Sequence, residues 1–154
     1  MNQIWIDADA CPKTVKDILF KMSKRLNIQI ILVANQPLRV PESSNIDTIL
    51  VSSGLDEADN LITEKCESHD LVITDDIPLA ARVIEKGAFV ITPRGKLLSD
   101  KNIGEQLSLR NFMDELRSGG LVTGGPAPLS VKDKGAFANQ LDRFITQKKK
   151  DGYF

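Results

Sequence analysis

The segment WIDADACP, residues 5–12, ends a short apolar run in two aspartates, Asp7 and Asp9. Further along, LVITDDIPLA (71–80) ends a second apolar run in Asp75 and Asp76. Short, apolar runs rich in β-branched residues are typical of strands buried inside a sheet. Two such strands that both finish in carboxylates call for a common explanation, which depends on the order of the strands in the sheet.

Apolar runs of this kind alternate with helical patterns over the first ninety or so residues. Continuous apolar runs suit strands that are covered on both faces, as in a parallel sheet. The alternation predicts an α/β domain with right-handed crossovers, a central parallel sheet and three layers. The predicted strands are QIWI (3–6), IQIILVA (28–34), IDTILV (46–51), LVIT (71–74) and AFVIT (88–92).

Apolar residues at helical spacing predict five helices, and only the link 35–45 lacks one. The predicted helices cover 13–26, 56–66, 77–86, 103–118 and about 131–149. We expect one domain over 1–154, with an α/β core at 1–93 and a loop and helical extension at 94–154. In that extension, 93–102 is predicted as loop and 118–128 as a glycine-rich connector. The residues predicted to face inward from its two helices are Leu109, Phe112, Met113, Leu116, Phe137, Leu141, Phe144 and Ile145.

Composition, charge and cysteine content limit the classes of protein to which the chain could belong. The chain has 154 residues, 42% hydrophobic and 27% charged, which is typical of a globular domain. No apolar stretch reaches the roughly 18–20 residues of a membrane helix, so no membrane association is expected. A net charge of -1 excludes a basic field over the whole molecule, and we interpret the lysine run at 148–150 as a solvated helix end. Two cysteines without metal-type spacing favour a reduced, cytoplasmic protein.

The strand order 3-2-1-4-5 would bring the carboxylates together. In that order the first and fourth strands are neighbours at the point where the order reverses, where α/β proteins bind ligands. The loop after the third strand opens onto the same edge and carries two acids three residues apart, on one helix face. The predicted site therefore contains Asp7, Asp9, Asp56, Asp59, Asp75 and Asp76.

Clustered carboxylates favour a cation. Two of them about 4 Å apart repel by roughly 4 kcal/mol at an effective dielectric constant near 20. Oxygen ligands select Mg²⁺ or Mn²⁺, and the single histidine, His69, is predicted to lie on the surface. The alternative is helix capping, since Asp56 and one of Asp75 or Asp76 stand where N-caps are expected.

Several segments together resemble the bacterial YaiI/YqxD family, a family of uncharacterised function grouped by fold with the PIN-like nuclease domains. The segments are DADACP, VAN, GLDEADNLI, DLVITDDIPLA, NFMDELR, GGPAPL and FANQLDRF, and the likeness runs from residue 4 to about 145. The resemblance implies a PIN-like fold and nuclease chemistry with Mg²⁺ or Mn²⁺.

The PIN pattern, carried over by resemblance, implies catalytic roles for Asp7, Asp59 and Asp76. Asp7 matches the acid that ends the first strand, Asp59 with Ile62 matches the mid-domain helix motif, and Thr74 with Asp76 matches T-x-D. EAD at 57–59 is also similar to a motif of flap nucleases. This chain departs from the pattern where a further acid often follows the last one, because positions 79 and 80 are leucine and alanine.

The rim of the predicted site contains groups that suit phosphate oxygens. Arg94 and Lys96 follow the fifth strand, and Asn35 and Arg39 lie on the other side. The resemblance to PIN-like nucleases implies RNA or another nucleic acid as the partner, and these groups would suit its phosphates.

Other classes of function stay open. One is a small-molecule phosphatase resembling the haloacid-dehalogenase type, and another is a module that binds RNA or a partner without cleaving. Cys11 stands before a helix, where it is either a reactive thiol or a small buried residue.

Overall fold

The computed structural model describes residues 1–121 and 127–154. The fold is α/β, as predicted, with a mostly parallel six-stranded sheet between helices. The strands are β1 (Ile4–Asp7), β2 (Ile30–Ala34), β3 (Ile46–Leu50), β4 (Leu71–Ile73), β5 (Phe89–Ile91) and β6 (Leu97–Leu98). The helices are α1 (Lys13–Leu26), α2 (Glu57–Lys65), α3 (Ile77–Glu85), α4 (Ile103–Ser118) and α5 (Val131–Lys150).

The sheet has the order β3-β2-β1-β4-β5-β6, which confirms the predicted 3-2-1-4-5 arrangement. The first five strands are parallel, and β1 pairs with β4 from Ile4 opposite Leu71 to Ile6 opposite Ile73. The carboxyl ends of β1 and β4 are therefore adjacent, at the point where the strand order reverses.

The prediction of loop over 93–102 is wrong at Leu97–Leu98, which forms the antiparallel strand β6 beside β5. A tight turn connects the two strands, with the Thr92 amide donating to the Lys96 carbonyl at 2.9 Å. Gly95 lies in this turn with φ of +90°, a conformation that favours glycine. A strand of two residues is too short to produce an apolar run, so periodicity does not detect it.

The sheet separates two apolar clusters. On one side α1 and α5 bury residues such as Val15 and Leu19 against the strands. On the other side α2 and α3 bury residues such as Ile62 and Val83, with Ile103 of α4 against their edge. The predicted inner face of α5 is confirmed, since its buried residues are Phe137, Leu141, Phe144 and Ile145.

The predicted inner face of α4 is wrong in part. The side chains of Leu109 and Phe112 are 53% and 56% exposed, and Met113 and Leu116 are only partly buried. The helix lies against α3, and that contact covers one side of it. Helical spacing identifies an apolar face but cannot show how much of that face a neighbouring element will cover.

Two further expectations are corrected. The third predicted strand was expected to be covered on both faces, but β3 is an edge strand and only Ile46 is buried. His69 was predicted to lie on the surface, but it is half-buried, and its ring stacks on Tyr153 with centroids 3.7 Å apart.

Part of the glycine-rich connector at 118–128 lies outside the described residues, because 122–126 are not described. In the described ranges no helix is long and apolar enough to cross a lipid bilayer.

Candidate functional site

The carboxyl ends of β1 and β4 hold Asp7 and Asp76 together through a threonine. Asp7 ends β1 and is only 8% exposed. The hydroxyl of Thr74, directly after β4, donates to Asp7 Oδ2 at 3.0 Å and accepts from the Asp76 amide at 3.1 Å. The parallel pairing of the two strands thus fixes the Asp7 carboxylate relative to the start of α3.

Asp76 is the N-cap of α3, where its Oδ1 accepts from the Leu79 amide at 3.1 Å. The capping alternative from the sequence therefore holds for Asp76, although the same carboxyl also faces the acidic cluster. It does not hold for Asp56, which precedes α2 with φ of +62° and makes no side-chain capping bond within the described residues. Capping explains one of these acids and leaves the other without a structural reason.

Asp59, on the first turn of α2, completes the cluster. Its carboxyl lies within hydrogen-bonding reach of that of Asp76. The pKa of Asp59 is raised to about 6, mainly by partial burial and also by the negative charges of Asp76, Asp7 and Asp56.

The pKa of Asp7 is also raised. Burial is the main cause, and the charges of Asp76, Asp75 and Asp9 act in the same direction. The hydrogen bond from Thr74 opposes the shift, because it stabilises the ionised carboxylate. Asp7, Asp59 and Asp76 thus form one electrostatic unit, which we call the acidic triad.

A cleft of about 180 Å³ adjoins the acidic triad. Asp9 lies at its wall, where Oδ2 accepts from the Asn35 amide at 2.8 Å. Asp75 is exposed and lies outside this cleft, although its charge acts on Asp7. The lining residues are Asp9, Asn35, Val51, Ser52, Gly54, Asp56, Glu57, Ala58 and Asp59.

Of the four residues predicted to bind phosphate, one lines the cleft and three do not. Asn35 lines the cleft, whereas Arg39 is an exposed residue of the 35–45 loop. Arg94 pairs with Asp133 of α5 at 2.7 Å and also donates to the carbonyl of Ala127, in the segment before that helix. Lys96 is exposed at the end of the turn before β6, and its backbone amide donates to Thr92 Oγ1 at 3.1 Å.

The prediction from the sequence did not include two charged residues around the site. Glu57 lines the cleft beside Asp56, and its place in the GLDEAD segment was the available signal. Asp133 pairs with Arg94 and also completes a capping box with Ser130 at the start of α5. The pattern Ser-x-x-Asp identifies the cap, but the contact with Arg94 depends on how α5 lies against the sheet.

The donors in the acidic triad are all oxygens, as hard divalent cations require. Within residues 1–121 and 127–154, no three acidic, histidine or cysteine side chains converge closely enough to hold a metal ion by themselves. Mg²⁺ is commonly held by one or two carboxylates together with waters and substrate phosphates. The close pair of Asp59 and Asp76, with Asp7 beside them, fits that smaller requirement.

Cys11 is buried, and burial raises the pKa of its thiol to about 12. The nearby charge of Lys16 lowers this pKa, but less than burial raises it. A thiol with so high a pKa is neutral at physiological pH, which favours the small buried residue over the reactive thiol.

The fold and the site define a class, a three-layer α/β protein with a carboxylate cluster at the carboxyl edge of its sheet. Residues 5–147 match the family model described as "Uncharacterized BCR, YaiI/YqxD family". The chain belongs to this family, which confirms the resemblance seen in its motifs.

Curated relatives agree with this assignment. The chain is 57% identical over 145 residues to the UPF0178 protein of Maridesulfovibrio salexigens, covering 94% of this chain and 96% of the relative. It is 54% identical over 149 residues to the UPF0178 protein of Saccharophagus degradans, covering 97% and 99% of the two chains. No solved structure matches.

Proposed function

We propose that this protein is a phosphodiesterase that depends on Mg²⁺ or Mn²⁺ and acts on RNA or another nucleic acid. The observation that carries the proposal is the convergence of three acids, because Thr74 holds the buried Asp7 beside Asp76 and the charges of both act on Asp59. Such a cluster of acids disfavours its own ionisation, and a divalent cation would remove that repulsion. The resemblance to PIN-like nucleases supports the choice of phosphodiester chemistry.

Asp59 and Asp76, with Asp7 beside them, would hold the ion together with waters and substrate phosphates, and Asp9, Asp56 and Asp75 would add negative charge around it. Such an ion would supply Lewis-acid chemistry, which polarises a phosphoryl oxygen and lowers the pKa of an attacking water. Thr74 keeps Asp7 in place, and the hydrogen bond to Leu79 keeps Asp76 in place, so little reorganisation is needed at these two residues. These are the roles we assign to the chain's own groups.

The groups proposed to meet substrate phosphates are Asn35, Arg39, Arg94 and Lys96. Asn35 is already at the cleft. Arg94 would have to exchange its partner Asp133 for phosphate, which is feasible because partly exposed ion pairs contribute little to stability.

The proposal is tested by cleavage of single-stranded RNA labelled with a fluorophore, in the presence of Mn²⁺ or Mg²⁺. The informative variant is Asp76→Asn, because asparagine is as good an N-cap as aspartate and should leave α3 intact. We expect cleavage by the wild type, at least about a hundredfold less by Asp76→Asn, and none in excess chelator. Asp100→Asn, at an exposed aspartate outside the cluster, is the matched control and should cleave normally.

Equal activity of Asp76→Asn and the control would overturn the proposal, and so would cleavage that persists in chelator. RNA binding without turnover at any metal concentration would favour a binding module instead. Formation of an aspartyl-phosphate with small phosphate esters would favour a phosphatase.

A further inference from the structure

The two helical layers differ strongly in charge. The layer formed by α1 and α5 has eleven basic and three acidic residues. The opposite layer, formed by α2, α3 and α4, has four basic and seven acidic residues. Although the whole chain has a net charge of -1, the layer on one side of the sheet is positively charged.

This basic layer extends from the candidate site to the opposite edge of the sheet. α1 begins just after the loop that carries Asp9, and α5 begins beside Arg94, which contacts Asp133. At the far end Lys149 Nζ lies 3.5 Å from the carbonyl of Leu26, so the two helices also end together. A helix of twenty residues is about 30 Å long, which gives the length of the charged surface.

Helix stabilisation explains only part of this charge. Basic residues in the last turn, such as Lys24 and Arg25 of α1 and the lysines at 148–150, interact favourably with the negative end of the helix dipole. Lys13 and Lys16 lie in the first turns of α1, and Lys132 and Lys134 lie in those of α5, where the dipole disfavours positive charge. Lys13 pairs with Asp17 at 3.3 Å, but the helix dipole disfavours the positions of all four lysines.

These amino-terminal lysines are near the acidic edge. The charge of Lys16 acts on the Cys11 thiol, in the loop that follows Asp7 and Asp9. Lys132 and Lys134 flank Asp133, which contacts Arg94 at the end of β5. Lys13, Lys132 and Lys134 are all exposed. Positive charge thus begins at the rim of the candidate site and continues along both helices.

We propose that the α1 and α5 layer binds the phosphate backbone of a nucleic acid and leads it to the acidic triad. This inference rests on the proposed function, because it describes how the substrate reaches that site. A strand of phosphates would be repelled by the aspartates alone, and the adjoining lysines and arginines provide the attraction. Most apolar residues of both helices pack against the core, and only Val131 among the large ones is exposed, which favours a nucleic acid over a membrane surface.

The test compares two triple variants that remove the same charge from opposite layers. Lys21→Gln, Lys24→Gln and Arg25→Gln change exposed residues of α1, away from the acidic triad. Lys65→Gln, Arg110→Gln and Arg117→Gln are the matched control on α2 and α4. Affinity for labelled single-stranded RNA of about twenty nucleotides is measured by fluorescence anisotropy without divalent metal, at about 50 to 200 mM salt.

We expect the α1 variant to bind about tenfold or more weakly at the lowest salt. The slope of the logarithm of the binding constant against the logarithm of the salt concentration should become less steep by about two, because three phosphate contacts are lost. The control should stay within about twofold of the wild type. Equal weakening of both variants would overturn the inference, and so would the absence of RNA binding by the wild type.

Vesicles with anionic lipid serve as the second arm of the test. Binding to them in place of RNA, lost in the α1 variant, would overturn the inference and assign the layer to membranes. Cleavage assays separate this outcome from the proposed function. RNA binding localised to α1 without any cleavage would refute the nuclease alone, whereas unchanged cleavage and binding in the α1 variant would refute the surface alone.

Discussion

At the scale of single residues, Asp59 is the clearest case of a side chain whose ionised form the fold disfavours. Its pKa of about 6 lies above the ordinary value of 3.8, so the native state holds more protons than the unfolded chain between those values. The contribution of this group to stability is therefore full below about pH 4 and is lost as the pH rises through about 6. The proposed metal site would explain why such an acid is present where asparagine would be less costly.

We expect Asp59→Asn to raise the free energy of unfolding at pH 7 by about 1 kcal/mol, a value reduced for the partial exposure of the site. Urea denaturation in chelator at about pH 4 and pH 7 measures this, and the gain should shrink at the lower pH. Glu64→Gln, an exposed acid on the same helix, is the control. A loss of stability at pH 7 would show that Asp59 supports the fold.

Asp70 is an acid with the opposite role. It is 2% exposed and accepts hydrogen bonds from the Asn2 side chain, the amides of Gln3 and Glu67, and Trp5 Nε1 at 3.0 Å. Four donors explain how a carboxylate remains buried outside the acidic triad.

Asp70→Asn places an amide N–H against these donors, and we expect it to lower the free energy of unfolding by roughly 2–4 kcal/mol. Thermal unfolding followed by Trp5 fluorescence reports both the stability and the lost bond. Asp100→Asn should change neither. A change below about 0.5 kcal/mol would contradict the structural role given to Asp70.

At the scale of elements, α5 lies across the turn between β5 and β6. A Cβ atom at Gly95 would lie 2.5 Å from the Ala136 carbonyl carbon and 2.7 Å from the Phe137 amide nitrogen. The positive φ of Gly95 adds strain for any other residue. The close approach of helix and turn therefore requires glycine at this position.

Gly95→Ala should lower the free energy of unfolding by more than about 2 kcal/mol, since either α5 or the turn must shift. Gly135→Ala, on α5 with open space around it, should instead raise it by about 0.5–1 kcal/mol through helix propensity. Urea denaturation of both variants tests the contrast. Similar stabilities for the two alanine variants would show that α5 does not lie where the structure places it.

At the scale of the whole molecule, the sequence predicts the sheet well because its strands are continuous apolar runs. The strands and the inner face of α5 follow from periodicity, whereas the order 3-2-1-4-5 was chosen because it brings the carboxylates to one edge. β6 and the exposure of Leu109 and Phe112 do not follow, because they depend on a short turn and on which neighbours cover a face.

Part of the candidate site could likewise be predicted from the sequence, and part could not. Strand order places Asp7 near Asp76, and the resemblance to PIN-like domains singles out Asp59. The structure is needed to see that Asp76 caps a helix with its side chain and that Asp56 does not. The charge difference between the helical layers is present in the sequence, but it is recognised only once the helices are assigned to sides of the sheet.

The most direct test of the central claim is a calorimetric titration with Mn²⁺ at about pH 6, in two buffers of different ionisation heat. The wild type should bind saturably and release protons, since Asp59 is partly protonated there and must ionise to act as a ligand. The double variant Asp59→Asn with Asp76→Asn should lose both the binding and the proton release. Equal binding by the double variant, or no saturable binding by the wild type at millimolar Mn²⁺, would contradict the claim that the acidic triad is a metal site.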